Sequence, residues 1–191
     1  MKKSGAFLVL AALAGCGGAP PAPPPSRPPS PSASASAAPI EELAPAPFTA
    51  EQVRGATRNE RRYTFRVEQE GQPTALVHLT FYHVDAEGAR VSEGGTREDG
   101  TGYGVSPGRV TWAKLQLHGF FPKAATTITE ETILVPAGKF ACLVYTVKKG
   151  DGTVSRYYFA KDLPGAPVLT TIEKDGKRRK SSTLIEHTPG Q

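Results

Sequence analysis

Arg62-Tyr-Thr-Phe-Arg-Val-Glu68 decides the class of fold. Tyr63, Phe65 and Val67 fall on one face of an extended chain, and Arg62, Thr64, Arg66 and Glu68 on the other. A strand with one dry side and one wet side reads this way. The next stretch, Ala75-Leu-Val-His-Leu-Thr-Phe-Tyr-His-Val84, is apolar on both faces, which suits a central strand. Asp85-Ala-Glu-Gly88 turns the chain, and Ala89 to Glu93 begins a more polar strand. Downstream, strands are expected at Thr127 to Val135, Lys139 to Lys148, Val154 to Lys161, Val168 to Lys174 and Arg178 to Glu186. The turns between them carry Pro136-Ala-Gly138, Gly150-Asp-Gly152, Leu163-Pro-Gly165 and Asp175-Gly176. Short turns between consecutive strands make an antiparallel meander, so the expected class is mainly β (α+β) with one or two short helices.

Two segments read as helix. In Phe48-Thr-Ala-Glu-Gln-Val53, Thr49 can cap, Gln52 completes a capping box, and Phe48 can staple onto Val53, with Gly55 as the stop. Further on, Ser106-Pro107 reads as an N-cap followed by proline at the first helical position. Trp112, Leu115 and His118 then share a helical face, and Gly119 and Pro122 end the run. Strand alternation through Thr111, Ala113, Leu115 and Leu117 competes with this. The capping signals favour a helix of about three turns, with Trp112, Leu115 and His118 as candidate contacts to a groove in the sheet.

Upstream the character of the chain changes. Lys2 and Lys3 precede an apolar run, Ala6-Phe-Leu-Val-Leu-Ala-Ala-Leu13, too short for the roughly 20 residues that span a bilayer. It ends in Leu13-Ala14-Gly15-Cys16-Gly17, which resembles the bacterial lipobox. That resemblance implies cleavage between Gly15 and Cys16, diacylglycerol on the Cys16 thiol, and acylation of the new amino terminus. Several acyl chains hold a protein stably on a membrane where one does so only marginally. Gly17 in place of aspartate implies the outer membrane. Residues 19–47 are almost entirely Pro, Ala and Ser, with eleven prolines in 29 positions. Such a tract cannot bury a core and favours extended polyproline conformations. At about 3.1 Å per residue it would reach roughly 90 Å as a semi-rigid spacer. The organisation expected is therefore a signal peptide at 1–15, a lipidated cysteine and linker at 16–47, and one β-rich domain at 48–188.

Loss of Lys2 and Lys3 with the leader lowers the formal charge of the 191-residue chain from +5 to +3. So mild an excess is weak ground for any partner. The dense cluster Lys177-Arg-Arg-Lys180 follows the turn signal Asp175-Gly176 and reads as a solvated turn, with lipid head groups or an acidic polymer as the alternative. No nucleic-acid partner is expected outside the cytoplasm. With Cys16 lipidated, Cys142 has no thiol left to pair with in the chain. Its setting, Phe140-Ala-Cys-Leu-Val-Tyr-Thr-Val147, reads as a buried structural cysteine, against a reactive thiol or an intermolecular disulfide.

Three further stretches carry a resemblance: Trp112-x-x-Leu115-x-x-His118-x-x-Phe121-Pro122, Val135-Pro-Ala-Gly138-Lys-Phe140, and Phe159-Ala-x-x-Leu163-Pro-Gly-x-Pro-Val168. Together they resemble a group of uncharacterised exported bacterial proteins. More loosely, the Pro-Ala-Gly turn and the Pro-Gly-x-Pro-Val strand entry resemble periplasmic families with a curved open sheet like that of LolA and LolB. The resemblance implies a curved, half-barrel-like sheet around an apolar groove, and it carries no residue of a carrier mechanism.

The chain offers no chemistry of its own. His78 and His83 are five apart and point to opposite faces of a strand, so they cannot chelate one ion. Neither Cys-x-x-Cys nor His-x-x-x-His occurs, and no metal or cofactor is expected. His118 reads as a packed histidine bonded to a neighbour. Gly100-Thr-Gly-Tyr-Gly104 lacks the strand before and helix after that a phosphate loop needs, and reads as a flexible loop. Glu130 and Glu131 are adjacent and face opposite ways. The expectation is a non-enzymatic, membrane-anchored envelope lipoprotein that binds an apolar ligand or lipid in a curved sheet. The alternatives are a structural or protein-interaction module docking an envelope partner, and a hydrolase without a recognisable motif.

Overall fold

The computed structural model describes residues 42–191. The expected leader, Cys16 and residues 16–41 of the expected linker lie outside the described residues. Helix α1 (Ala50–Ala56) leads into β1 (Arg62–Gln69), β2 (Ala75–Tyr82), β3 (Gly88–Arg97) and β4 (Gly102–Thr111). Helix α2 (Trp112–Leu117) and a single 3₁₀ turn at Lys123–Ala125 then precede β5 (Thr126–Val135), β6 (Gly138–Lys148), β7 (Thr153–Ala160), β8 (Leu169–Lys174) and β9 (Lys177–Thr188). Among the described residues these nine strands form one open antiparallel sheet, in the order β4-β3-β2-β1-β9-β8-β7-β6-β5. The chain starts at the middle, walks to one edge, crosses through α2 to the other edge, and walks back until β9 pairs with β1.

The mainly β class expected from the sequence is the one observed. Tyr63 and Phe65 are buried and Val67 half-buried, while Arg62, Arg66 and Glu68 are exposed, as the alternation required; Thr64, expected on the wet face, is buried instead, with its hydroxyl 3.1 Å from His78 Nδ1. At the β8–β9 turn, Asp175 and Gly176 both take positive φ (52° and 74°), which makes the two-residue hairpin of mirror-image turn type. The α1 capping box is present: Thr49 Oγ1 accepts from the Gln52 amide at 3.2 Å, and Gln52 Oε1 accepts from the Thr49 amide at 2.8 Å. Phe48 and Val53 are both buried. The helix continues one residue past Gly55 and is closed by Thr57, whose hydroxyl donates to the Val53 carbonyl at 2.7 Å.

The sheet is curled. Side chains from β3 (Val91) and β7 (Phe159) line one cavity, although five strand spacings separate those strands, about 24 Å along a flat sheet. The core on the concave face joins Phe48 and Val53 of the α1 region to Tyr63, Phe81, Trp112, Tyr145, Phe159 and Leu184. Phe159 meets Tyr145 and Phe48 edge-on, with centroids 5.5 and 6.1 Å away, and Phe121 stacks on Tyr157 at 4.8 Å.

Three expectations are corrected. The three-turn helix from Ser106 is a six-residue helix capped by Thr111, whose hydroxyl accepts from the Lys114 amide at 3.2 Å. Residues 102–111 are a strand instead. The reading of Gly100–Gly104 as a flexible loop fails with it, since residues 102–104 pair with β3. The β3–β4 register skips between Val91 and Glu93, so Ser106 and Pro107 fall in the irregularity, where the missing proline N–H costs no ladder bond. The linker reading extends too far. Leu43 bridges Pro122, the Ala44 amide donates to the Phe121 carbonyl at 2.8 Å, and the Tyr145 hydroxyl donates to the Pro45 carbonyl at 2.7 Å. Just past the end of α2, a β-carbon on Gly119 would sit 2.7 Å from the Pro47 ring.

Candidate functional site: an apolar cavity over a buried arginine

Helices α1 and α2 lie on the concave face, and between them and the sheet is a cavity of about 450 Å³. Its walls are Phe48 and Val53 from the α1 side, Leu115 from α2, and Leu79, Phe81, Val91, Tyr157 and Phe159 from the sheet. A further wall is Gly165-Ala166-Pro167, the centre of the Leu163-Pro-Gly-Ala-Pro-Val168 loop between β7 and β8. Lys114, Gln116, His118 and Glu93 also line it; of these Lys114, His118 and Glu93 are exposed.

The three candidate contacts from the sequence divide. Leu115 and His118 line the cavity, Leu115 half-buried and His118 exposed. His118 is not the packed, bonded histidine expected: it caps the end of α2, where its side chain reaches solvent. Trp112 turns away from the cavity into the core, and its indole N–H donates to the Asp85 carbonyl at 3.0 Å. That bond fixes α2 on the Asp85 loop, which is itself held by Arg109 at 2.8 Å from both Asp85 carboxylate oxygens. Trp112 is therefore a structural anchor of the helix that roofs the cavity.

The polar centre of the site is Arg61, which the sequence reading passed over. It precedes β1 in a run of charged residues, and burial of such a residue leaves no pattern in sequence. Only 2% of its surface is exposed. Its Nε donates to His187 Nε2 at 3.2 Å, and Nη1 donates to Thr57 Oγ1 at 3.3 Å and to the Pro164 carbonyl at 3.0 Å. Among the described residues no carboxylate pairs with it. Burial pulls its pKa down and Tyr63 opposes that, but a guanidinium stays protonated in proteins. The cation also sits 4.8 Å from the centroid of the Tyr63 ring.

Tyr63 completes the arrangement. Its ring stacks on Phe65 with centroids 6.0 Å apart and leans on His187 at 5.0 Å. Burial pushes its phenol up to about 12, so the hydroxyl keeps its proton. That hydroxyl has no hydrogen-bond partner, and it is the one buried side-chain oxygen or nitrogen among the described residues in that condition. A β-carbon at Gly165 would lie 2.6 Å from the Tyr63 hydroxyl oxygen and 3.8 Å from Arg61 Nη1. Glycine, at φ 141°, is what lets the loop close over both groups. His187 has its pKa lowered by burial first and by Arg61 second, so it stands as a neutral acceptor for the Arg61 N–H.

Among the described residues no three His, Cys, Asp or Glu side chains gather as metal ligands. Cys142 is buried on β6 with its thiol pushed up to about 11, chiefly by burial and then by Asp162 and Glu131.

No protein-family model and no curated protein matches the sequence. Solved structures match it in three dimensions. The crystal structure of MucB superposes with a TM-score of 0.51 at 14% identity, over 74% of this chain and 57% of that one. The fold is shared with MucB. The complex of MucA with MucB from Pseudomonas aeruginosa gives a TM-score of 0.50 at 15% identity, over 73% of this chain and 53% of that one. The chain thus spans just over half the length of the MucB chains it matches. At such identity the likeness is one of architecture, and it transfers no residue of the cavity.

Proposed function

We propose that this chain is a non-catalytic binding module of the bacterial cell envelope that takes an apolar ligand or acyl chain into the cavity between its two helices and its sheet. One observation carries the reading: side chains from α1, α2 and both halves of the sheet converge on about 450 Å³ of largely apolar space without filling it. Cores of this size normally pack to crystal-like density, and concave apolar space with a few polar groups is the usual form of a small-molecule site. Lipid attachment at Cys16, and with it a place on the outer membrane, belongs to the same reading and rests on Leu13-Ala14-Gly15-Cys16.

Two experiments test it. Full-length chain carrying Cys16→Ser, expressed in bacteria, is analysed by native mass spectrometry. A co-purifying ligand of lipid mass, displaced when Leu79 or Val91 is replaced by Trp to fill the cavity, is the expected result. A clean apo mass, with no uptake of an environment-sensitive apolar dye, overturns the reading. For the anchor, the wild-type chain fractionates with membranes and Cys16→Ser releases it; a variant still in the membrane fraction overturns the anchor.

A second reading is favoured by a separate feature. Strand β5 is a sheet edge with an outlying hydrophobic, Leu134, 81% exposed, and Ile128 is exposed on the same strand. An open edge with apolar side chains can accept a strand from a partner, and the MucB fold has been solved in a complex with MucA. On this reading the module docks an envelope protein through β5, and Leu134→Lys abolishes capture of that partner without touching the cavity.

A further inference from the structure

The cavity described above has an electrostatic peculiarity that an apolar ligand alone does not explain. Arg61 is a buried cation whose neighbours are a neutral histidine, a threonine hydroxyl and a backbone carbonyl. Charges removed from water are costly unless paired, and buried polar groups are normally hydrogen-bonded. Here both rules are broken within one small space, since the Tyr63 hydroxyl beside the guanidinium also lacks a partner.

The unused bonding capacity has a definite shape. Of the five N–H groups of Arg61, the one on Nε and the two on Nη1 are engaged, which leaves the two on Nη2. The Tyr63 hydroxyl adds a third free donor, and its high pKa keeps that proton in place. The guanidinium can only donate and carries a positive charge, and the phenol can donate beside it, so the complement that uses both is an acceptor with negative charge. Arg61 is the buried cation there, His187 is neutral, and the exposed Lys114 and Glu93 that also line the cavity carry opposite charges, so the charge that balances the site is a single one. Beyond these groups the cavity is walled by Leu79, Phe81, Val91 and Phe159.

We propose that the cavity binds a long-chain fatty acid as its carboxylate, with the carboxylate accepting from Arg61 Nη2 and the Tyr63 hydroxyl and the hydrocarbon chain lying along the apolar wall toward α2. This deepens the apolar-ligand reading and rests on it. A planar carboxylate with two oxygens and one charge matches a guanidinium edge better than a phosphate dianion, which would need a second cation. The Pro164-Gly165 segment is part of the site: its carbonyl orients Arg61, and its missing β-carbon avoids a clash with the hydroxyl.

The test compares a fatty acid with the alcohol of the same chain length, each titrated into full-length chain carrying Cys16→Ser by displacement of a fluorescent apolar probe. The wild-type pocket binds the acid roughly tenfold to a hundredfold more tightly than the alcohol, the range for a hydrogen-bonded charge. Arg61→Gln removes that preference while leaving alcohol affinity within about twofold. Tyr63→Phe, which keeps the ring and the fold, weakens the acid several-fold and leaves the alcohol unchanged. An alkyl phosphate serves as the third ligand, and a phosphate bound more tightly than the acid overturns the carboxylate assignment. Equal affinity for acid and alcohol overturns the proposal and leaves the apolar-ligand reading standing. Displacement by neither ligand removes both.

Discussion

The guanidinium of Arg61 lies over the face of Tyr63, 4.8 Å from the ring centroid, and the two residues share a wall of the same cavity. Each is nearly sealed from solvent, at 2% and 1% exposure. The cation gains from the ring quadrupole, and the ring gains a polar neighbour that its own hydroxyl does not reach. This pair makes the unliganded module less stable than an apolar pair of the same shape would, because two desolvated polar groups are held without full compensation.

Replacing Tyr63 by Phe therefore raises stability. The substitution deletes a buried hydroxyl that bonds nothing, at nearly constant shape. The unfolding free energy of the unliganded chain rises by about 1 kcal/mol. Urea denaturation followed by tryptophan fluorescence checks this, with Trp112 as the reporter. A loss of a kcal/mol or more would show that the hydroxyl has a partner in the folded state.

His187 makes stability depend on pH. Its pKa is lowered in the folded state, so the unfolded chain takes up a proton at a higher pH than the folded chain does. Stability is unaffected by this residue well above the ordinary histidine value of about 6.5 and is lost progressively as pH falls from there toward the folded pKa. Protonation would also set a second positive charge against Arg61 Nε, which now donates to the ring. Denaturation midpoints at pH 7.5 and 5.0 measure the slope, and His187→Gln flattens it. An unchanged slope in that variant would falsify the assignment.

Gly165→Ala strains the loop over the site. The residue holds φ 141°, and the added methyl would meet the Tyr63 hydroxyl oxygen at 2.6 Å. Backbone strain alone costs on the order of 1–3 kcal/mol. The double variant with Tyr63→Phe recovers part of that loss, because the colliding oxygen is gone. A recovery no larger than the gain from Tyr63→Phe alone, measured as a double-mutant cycle, would mean that the two positions do not touch.

Cys142 resists alkylation in the native chain. The thiol is buried, it donates weakly to the Phe140 carbonyl, and its pKa is pushed up to about 11. At pH 8 very little thiolate is present, and access is blocked as well. Iodoacetamide labelling measured by mass spectrometry is slow at this position until denaturant is added. Rapid native labelling would contradict the burial.

The strands were readable because their signal is local. Tyr63, Phe65 and Val67 alternate with charged neighbours, and Asp175-Gly176 names its own turn, so registers on that side of the sheet follow from short stretches of chain. Strand β4 was not readable. Its glycines and Pro107 look like a loop followed by a helix start, and only pairing with β3 across a bulge makes them a strand. Pro45 looks like linker until the Tyr145 hydroxyl finds its carbonyl. The candidate site fared similarly. Leu115 and His118 were visible through helical spacing, whereas the Pro-Gly-x-Pro loop was read only as a turn and strand entry. Arg61 was invisible, since nothing local distinguishes a buried arginine from its exposed neighbours Arg58 and Arg62.

The strand order carries one more consequence. Strand β1, near the start of the described chain, takes as its second neighbour β9, the last strand among the described residues. Residues 62–111 can form a four-stranded ribbon early, but the flank of β1 that pairs with β9 stays open until residues 177–188 arrive. Closing so long a loop is slow. In that interval a newly made chain presents sticky backbone at its centre rather than at its margins, and a truncation before Lys177 leaves the molecule permanently in that exposed, self-associating form.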